Sequence, residues 1–330
     1  MATGFLATPA PTSPANELLD WLELEAFLSG TNVARLDVLV SALEMQLEEP
    51  SEEIEAEDDF KEALVAEIEN EYDFRRDDCI GSYPFLLSDD AEELFFVGDP
   101  AHPNTSVYLV CLLASHLIRS PFVTLKGTEE DLTKIVTDLR NSVFQVISTV
   151  AMAGLADGPS ISIGWPRSSD ETILQALARG VPNNSSVVPR ANPNPAVKNP
   201  WDKDGGMDVI SWRDGKRHPP LNFYFGQVAS GADWAGKAAM GKARSFKEKY
   251  VDSGPLCNED YATLMPFRVS DTAKFNSEHS DHRTILDRTR LPQMALKGIA
   301  ISENGIPVDE VENFAAVEAW IFRYKGAAAG

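Results

Sequence analysis

Cysteine is scarce. The 330 residues hold three, Cys79, Cys111 and Cys257, far apart and with no Cys-x-x-Cys pair. So sparse and odd a set argues against a disulfide framework and a structural zinc, and fits a reducing compartment. Histidine is nearly as rare, with five scattered copies and neither His-Glu-x-x-His nor His-x-His, so no zinc ligand set is spelled out. His279 and His282 read as two surface residues of a polar loop. No uninterrupted apolar run reaches membrane length, and with Arg35 as the first basic side chain nothing resembles a signal peptide. The expectation is a cytoplasmic protein with no membrane partner. The common phosphate-cradling loops, Gly-x-x-x-x-Gly-Lys-Ser/Thr and Gly-x-Gly-x-x-Gly after a strand, are absent as well. So is the Gly-x-Ser-x-Gly elbow of serine hydrolases. Cys79 and Cys111 lie in apolar surroundings and read as core thiols, not nucleophiles.

Positive charge is missing from the first third of the chain. Residues 1–100 carry 26 Asp and Glu against 4 Lys and Arg, while residues 101–330 carry 25 of each, so the whole net charge of −22 lies in the first hundred. Acidity argues against a nucleic-acid partner there, but not in the balanced remainder. The apolar fraction of 43% is that of a globular chain long enough for one large or two ordinary domains. Apolar periodicity predicts helices over 16–29, 32–47 and 58–73, short strands near 79–87 and 93–97, and a buried helix over 106–118. Residues 1–120 therefore read as an acidic, mostly helical accessory lobe that faces a partner, and 121–330 as a second domain.

In that second domain a helix is predicted over 128–153, begun by the Thr128/Asp131 capping pair and ended by Gly154 and Gly158. A strand over 161–165 and a helix over 170–179 follow. Five prolines and five asparagines make 181–203 an irregular connection. Residues 207–212 and 221–228 are apolar runs that predict neighbouring strands, the first holding Asp208 after a glycine pair, the second ending on Gln227. A helix carrying Lys237, Lys242, Arg244, Lys247 and Lys249 comes next, then a strand over 261–269, a polar stretch over 270–282 and a final helix over 308–324.

A carboxylate buried in an apolar strand costs several kcal/mol unless something pairs with it. An Asp on one strand and a backbone carbonyl beside it can hold a hard divalent cation through oxygen, with a lysine standing nearby. Such an ion lowers the pKa of a bound water and neutralises charge on a phosphate, while the ammonium stabilises the transition state.

The segments Gly205-Gly-Met-Asp208-Val-Ile-Ser-Trp212 and Phe225-Gly-Gln227-Val-Ala-Ser-Gly231 resemble the core of the PD-(D/E)XK, or restriction-endonuclease-like, nucleases, in the branch of Mrr-type enzymes where Gln replaces Glu. The likeness covers about forty residues. It implies an α/β (α+β) fold in which helices flank a mixed sheet in αβββαβ order, and Mg²⁺ (or Mn²⁺) held by Asp208 and Gln227. The lysine of the family pattern falls on Ala229, which departs from it. Lys237 from the following helix, with Lys242 second, is then the expected catalytic lysine. A Glu from an earlier helix, Glu171 or Glu130, would complete the metal site.

The resulting expectation is a metal-dependent endonuclease that hydrolyses DNA, with Lys242, Arg244 and Lys247 on phosphates, as effector of a bacterial anti-phage defence or restriction system. A protein subunit such as an ATPase or helicase would dock on the acidic lobe and control it, with homo-oligomers a further form. The alternative is a degenerate nuclease fold kept as a binding or scaffold subunit, and the third a non-nuclease phosphoesterase. Arg283, Arg288 and Arg290 would pair either with DNA or with the acidic lobe.

Overall fold

The computed structural model describes residues 6–46, 54–118, 122–164, 171–182, 187–192, 194, 205–213, 222–231, 233–252 and 258–329, without the side chains of 54–59 and 329. Trp165, Cys257 and most of the 181–203 connection lie outside them. The protein is mixed α/β and divides into two compact units, residues 1–135 with 321–330, and residues 136–320. Among the described residues no helix is long and apolar enough to cross a membrane.

The first unit opens with α1 (Ala15–Leu28), β1 (Val33–Arg35), α2 (Leu36–Glu44) and α3 (Ile54–Asp78). It continues with β2 (Phe85–Leu87), β3 (Glu93–Phe96), α4 (Pro103–Ile118) and α5 (Glu129–Asp138), which runs past its boundary. The three strands form an antiparallel sheet in the order β1-β3-β2. Residues 33–35, expected to begin the second helix, instead pair with β3 as a strand. Ahead of the first helix, Ala7 donates to the Phe122 carbonyl and accepts from the Trp21 indole.

Helix α1 is buried all round, acids included: Glu23 is 0% and Asp20 6% exposed. Burial on that scale requires a cation, and α3 supplies it. Arg75, itself 0% exposed, reaches Glu23 and Asp20 at 2.7 Å, Glu71 at 2.8 Å and the Asn16 carbonyl at 2.6 Å. Tyr83 and Tyr108 hydroxyls donate to Glu23 at 2.6 and 2.9 Å. Burial works to lower the Arg75 pKa, but Glu23 and Asp20 outweigh it and hold the guanidinium charged.

The second unit runs through α6 (Phe144–Ala156), β4 (Ser160–Ser162), α7 (Ile173–Gly180), β5 (Val188–Pro189), β6 (Val209–Trp212), β7 (Asn222–Val228) and α8 (Ala239–Tyr250). It then adds β8 (Val251–Asp252), β9 (Asn258–Leu264), α9 (Thr272–His282), β10 (Thr284–Leu286) and α10 (Leu291–Glu303), and ends within α11 (Ala315–Ala329). Five strands make a mixed sheet, ordered β10-β9-β7-β6-β4. Strands β4, β6 and β7 are antiparallel neighbours, whereas β7, β9 and β10 run parallel. Trp212, Phe223, Ile210 and Phe225 share one face by register, in a single core with residues of α7 and α8. Met152 of α6 covers Gly226 on the other face, and α10 crosses α6.

That crossing is close. A methyl on Gly154 would stand 2.0 Å from the Met294 carbonyl oxygen, and one on Gly298 2.0 Å from that of Val150. Gly154 therefore sits inside α6 as a contact point, and the helix stops at Ala156 with Asp157 left-handed. The helix expected over 128–153 is broken by a π-helical turn at Leu139–Val143. The polar stretch over 270–282 folds as α9, capped by the Asp271 carboxylate on Lys274 N.

Candidate active site

Asp208 enters β6 from a tight turn. Gly205 and Gly206 have φ of +61° and +95°, a backbone that side-chain-bearing residues rarely adopt. A methyl on Gly205 would also lie 2.6 Å from the Tyr250 ring. Asp208 N donates to the Gly226 carbonyl, extending the β6–β7 ladder by one residue and setting Asp208 beside Gln227. The Asp208 carboxylate is 6% and Gln227 7% exposed. Its Oδ2 accepts from Gln227 Nε2 at 2.6 Å and from Val228 N at 2.7 Å. Both donors come from β7, so the acid is pinned to its neighbouring strand. The Gln227 Oε1 makes no hydrogen bond among the described residues.

The Asp208 main chain is held as firmly. Its carbonyl accepts from Ile163 N and Gly164 N, each at 2.8 Å, and from Gln145 Nε2 at 3.1 Å. Gln145 lies in α6 and is 6% exposed; its amide also reaches Ser162 Oγ at 3.0 Å. A methyl on Gly164 would stand 2.7 Å from that amide, so the glycine leaves the space Gln145 fills. A lone Gln in an apolar helix carries no motif, so nothing in the sequence marks Gln145.

Parallel pairing sets Thr263 of β9 beside Gln227. Thr263 Oγ1 is 2.7 Å from His282 Nδ1, and both residues are 0% exposed. His282 Nε2 lies 3.2 Å from the Ala235 carbonyl, and the ring packs at a tilt of 49° against Trp234, centroids 5.3 Å apart. His282 is thus a core residue, not the surface histidine of a loop, because α9 turns it inward. Beyond the same strand ends Arg268, Asp287, Arg288 and Thr289 are all buried. Asp287 Oδ1 accepts from Thr289 N and Oγ1 at 3.2 and 2.8 Å. Arg288 is 1% exposed, so it is not a surface charge waiting for DNA. In open sheets ligands collect beyond the carboxyl ends of parallel strands, and this row of polar residues occupies such an end.

The lysines divide. The Lys242 side chain lies on the glycine turn, its Cβ and Cδ each 3.4 Å from where a methyl on Gly206 would be. Lys237 is half-buried after a 3₁₀ turn, Trp234–Gly236, and its N–H donates to the Trp234 carbonyl. Ala229 is fully buried. Arg244 is exposed and pairs with Glu248 one turn on at 3.3 Å. Lys247 is engaged by Glu259 and lies over the Phe225 ring, so its charge is used within the fold. Glu171, placed at the metal by the sequence reading, is held by Arg179 at 3.0 Å, and Arg179 by Asp309 at 2.9 Å. Glu171 therefore stands in an ion-pair chain that fixes α7, and Glu130 is exposed on α5 in the first unit. Among the described residues no group of three or more His, Cys, Asp or Glu side chains is arranged to hold a metal ion.

Compared with protein-family models, curated proteins and solved structures, the chain has no match. What it does must be argued from its own residues.

Proposed function

We propose that the second unit is a metal-dependent nuclease of restriction-endonuclease-like architecture that hydrolyses DNA phosphodiester bonds. The observation that carries this reading is the buried Asp208 carboxylate fastened to Gln227 across adjacent strands at 2.6 Å. The order α6–β4–β6–β7–α8–β9, with α7 and a two-residue strand inserted, supports it further, being the αβββαβ arrangement the resemblance implies.

The donor set fits a hard cation. Asp208 offers carboxylate oxygen and Gln227 an amide oxygen, with neither sulfur nor nitrogen to favour a softer metal. Asp208 and Gln227 would hold Mg²⁺ or Mn²⁺, which when bound supplies a water of lowered pKa and neutralises phosphate charge. The chain's own part is positioning. Val228 N and Gln227 Nε2 fix the carboxylate rotamer, and Gln145 fixes the main chain behind it. Lys242, whose stem lies against the glycine turn that leads into Asp208, and half-buried Lys237 are the lysines that would bring an ammonium to the phosphate. Lys242 and Arg244, both exposed on α8, would meet the DNA backbone, Arg244 by leaving its surface pair with Glu248.

Plasmid cleavage tests the reading: the wild type nicks DNA with Mg²⁺ and stops in chelator, and Asp208→Ala abolishes nicking. Equal nicking by both would remove the proposal. A second reading, a degenerate nuclease fold that binds without cutting, is favoured by Ala229 in the lysine position and by an Asp208 Oδ2 already satisfied by two donors. It predicts DNA or partner binding with no dependence on Mg²⁺.

A further inference from the structure

The three-stranded sheet of the first unit has two unlike faces. Ala34, Leu94, Phe85 and Phe96 point inward, and Phe96 meets Phe27 of α1 with ring centroids 5.2 Å apart. Strand alternation sends the others outward. The register aligns Val33, Phe95 and Leu86 in one row across all three strands. Val97, opposite Pro84 through its N–H on the Pro84 carbonyl, continues the same face. Leu86 is 52% and Val97 60% exposed, while Phe95 and Val33 are half-buried. An apolar row of this kind, uncovered on a sheet face, marks a contact surface.

The charge around it selects the occupant. Between Arg76 and Arg119 the sequence holds no lysine or arginine, and the hairpin carrying the row bears Asp89, Asp90, Glu92, Glu93 and Asp99. Arg35, in register with Glu93, is already paired with Asp37 at 2.8 Å. The whole unit has 29 Asp and Glu against 9 Lys and Arg, a balance of −20. A second copy would bring a surface of the same sign, and a nucleic acid would be repelled. We infer that the outer face of the β2–β3 hairpin docks a protein partner whose contact surface is apolar at its centre and rimmed with lysine or arginine. Leu86 and Val97 are the anchors, and the surrounding carboxylates set orientation and association rate.

The probe is a fluorescent amphipathic leucine/lysine peptide, with a serine/lysine peptide of equal charge as control, titrated with the full-length chain in anisotropy. The leucine/lysine peptide is expected to bind more tightly than the control. Leu86→Ser and Val97→Ser together should weaken it about tenfold or more. Both side chains are exposed, so the circular dichroism of the variants should match the wild type. Added salt should weaken the binding further. The inference is overturned if the two peptides bind alike, or if the substitutions leave binding unchanged. It is also overturned if sedimentation shows a wild-type dimer that Leu86→Ser dissolves, since the occupant is then a second copy. None of these outcomes depends on the chemistry at Asp208.

Discussion

Replacing Arg75 with methionine should unfold the first unit more readily than any surface change. The guanidinium is 0% exposed and makes four polar contacts of 2.8 Å or less. Without it, Glu23 at 0% and Asp20 at 6% exposure remain in the core without a guanidinium, Glu23 on the Tyr83 and Tyr108 hydroxyls and Asp20 beside the His116 imidazole at 3.3 Å. Breaking a buried ion pair from one side costs about 3–5 kcal/mol, because the remaining charge is stranded. For a unit of this size that is a fall in Tm of about 10–15 °C. Trp21, 1% exposed in α1, reports the transition by fluorescence during thermal or urea unfolding. The mechanism makes a sharper demand on the combined variant Asp20→Asn, Glu23→Gln, Arg75→Met. Removing the two most deeply buried acids with Arg75 leaves only Glu71, whose side chain is 12% exposed, so the triple variant should be more stable than Arg75→Met alone. If Arg75→Met loses under about 1 kcal/mol, or if the triple variant is the weaker of the two, the reasoning is wrong.

Two further stability predictions follow from local geometry. Gly298→Ala forces apart the α6–α10 crossing, where its methyl would stand 2.0 Å from a carbonyl oxygen, and should cost about 3 kcal/mol or more in urea unfolding. Thr172→Ala removes the side-chain half of the capping box at the start of α7, where Thr172 Oγ1 accepts from Gln175 N; the Gln175 side chain can still accept from the main-chain N–H of residue 172. The substitution should lower stability by about 1 kcal/mol, and an unchanged unfolding midpoint would show that the cap is not used.

Some of this architecture was written locally in the sequence. The Thr128/Asp131 pair does cap α5, the Asp131 carboxylate taking the Thr128 hydroxyl at 2.6 Å, which lowers its pKa. The apolar runs around Asp208 and Gln227 are neighbouring strands, β6 buried at every residue and β7 buried at Phe223 and from Phe225 to Gln227. Helix α10 escaped notice because it faces α6 through Ala295 and Gly298, small residues that give no hydrophobic stripe. Helix α9 escaped because its sequence is polar and only its last residue, His282, is fully buried. The burial of α1 on every side was hidden for another reason. Its acids are satisfied by Arg75, which lies 52 residues beyond Glu23, and no local pattern reports a partner at that distance. The site was legible to a similar degree. Asp208 and Gln227 stood out as polar groups in apolar strands, whereas Gln145, Thr263 and His282 join them only through tertiary contacts.

The most direct measurement is a crystal structure grown or soaked in Mn²⁺, with anomalous scattering collected at the manganese edge. The account predicts a peak bonded to the Asp208 carboxylate and near the Gln227 amide oxygen, lost in Asp208→Ala crystals. An ordered, unchanged Asp208–Gln227 pair with no peak beside it in the presence of the ion would contradict the account.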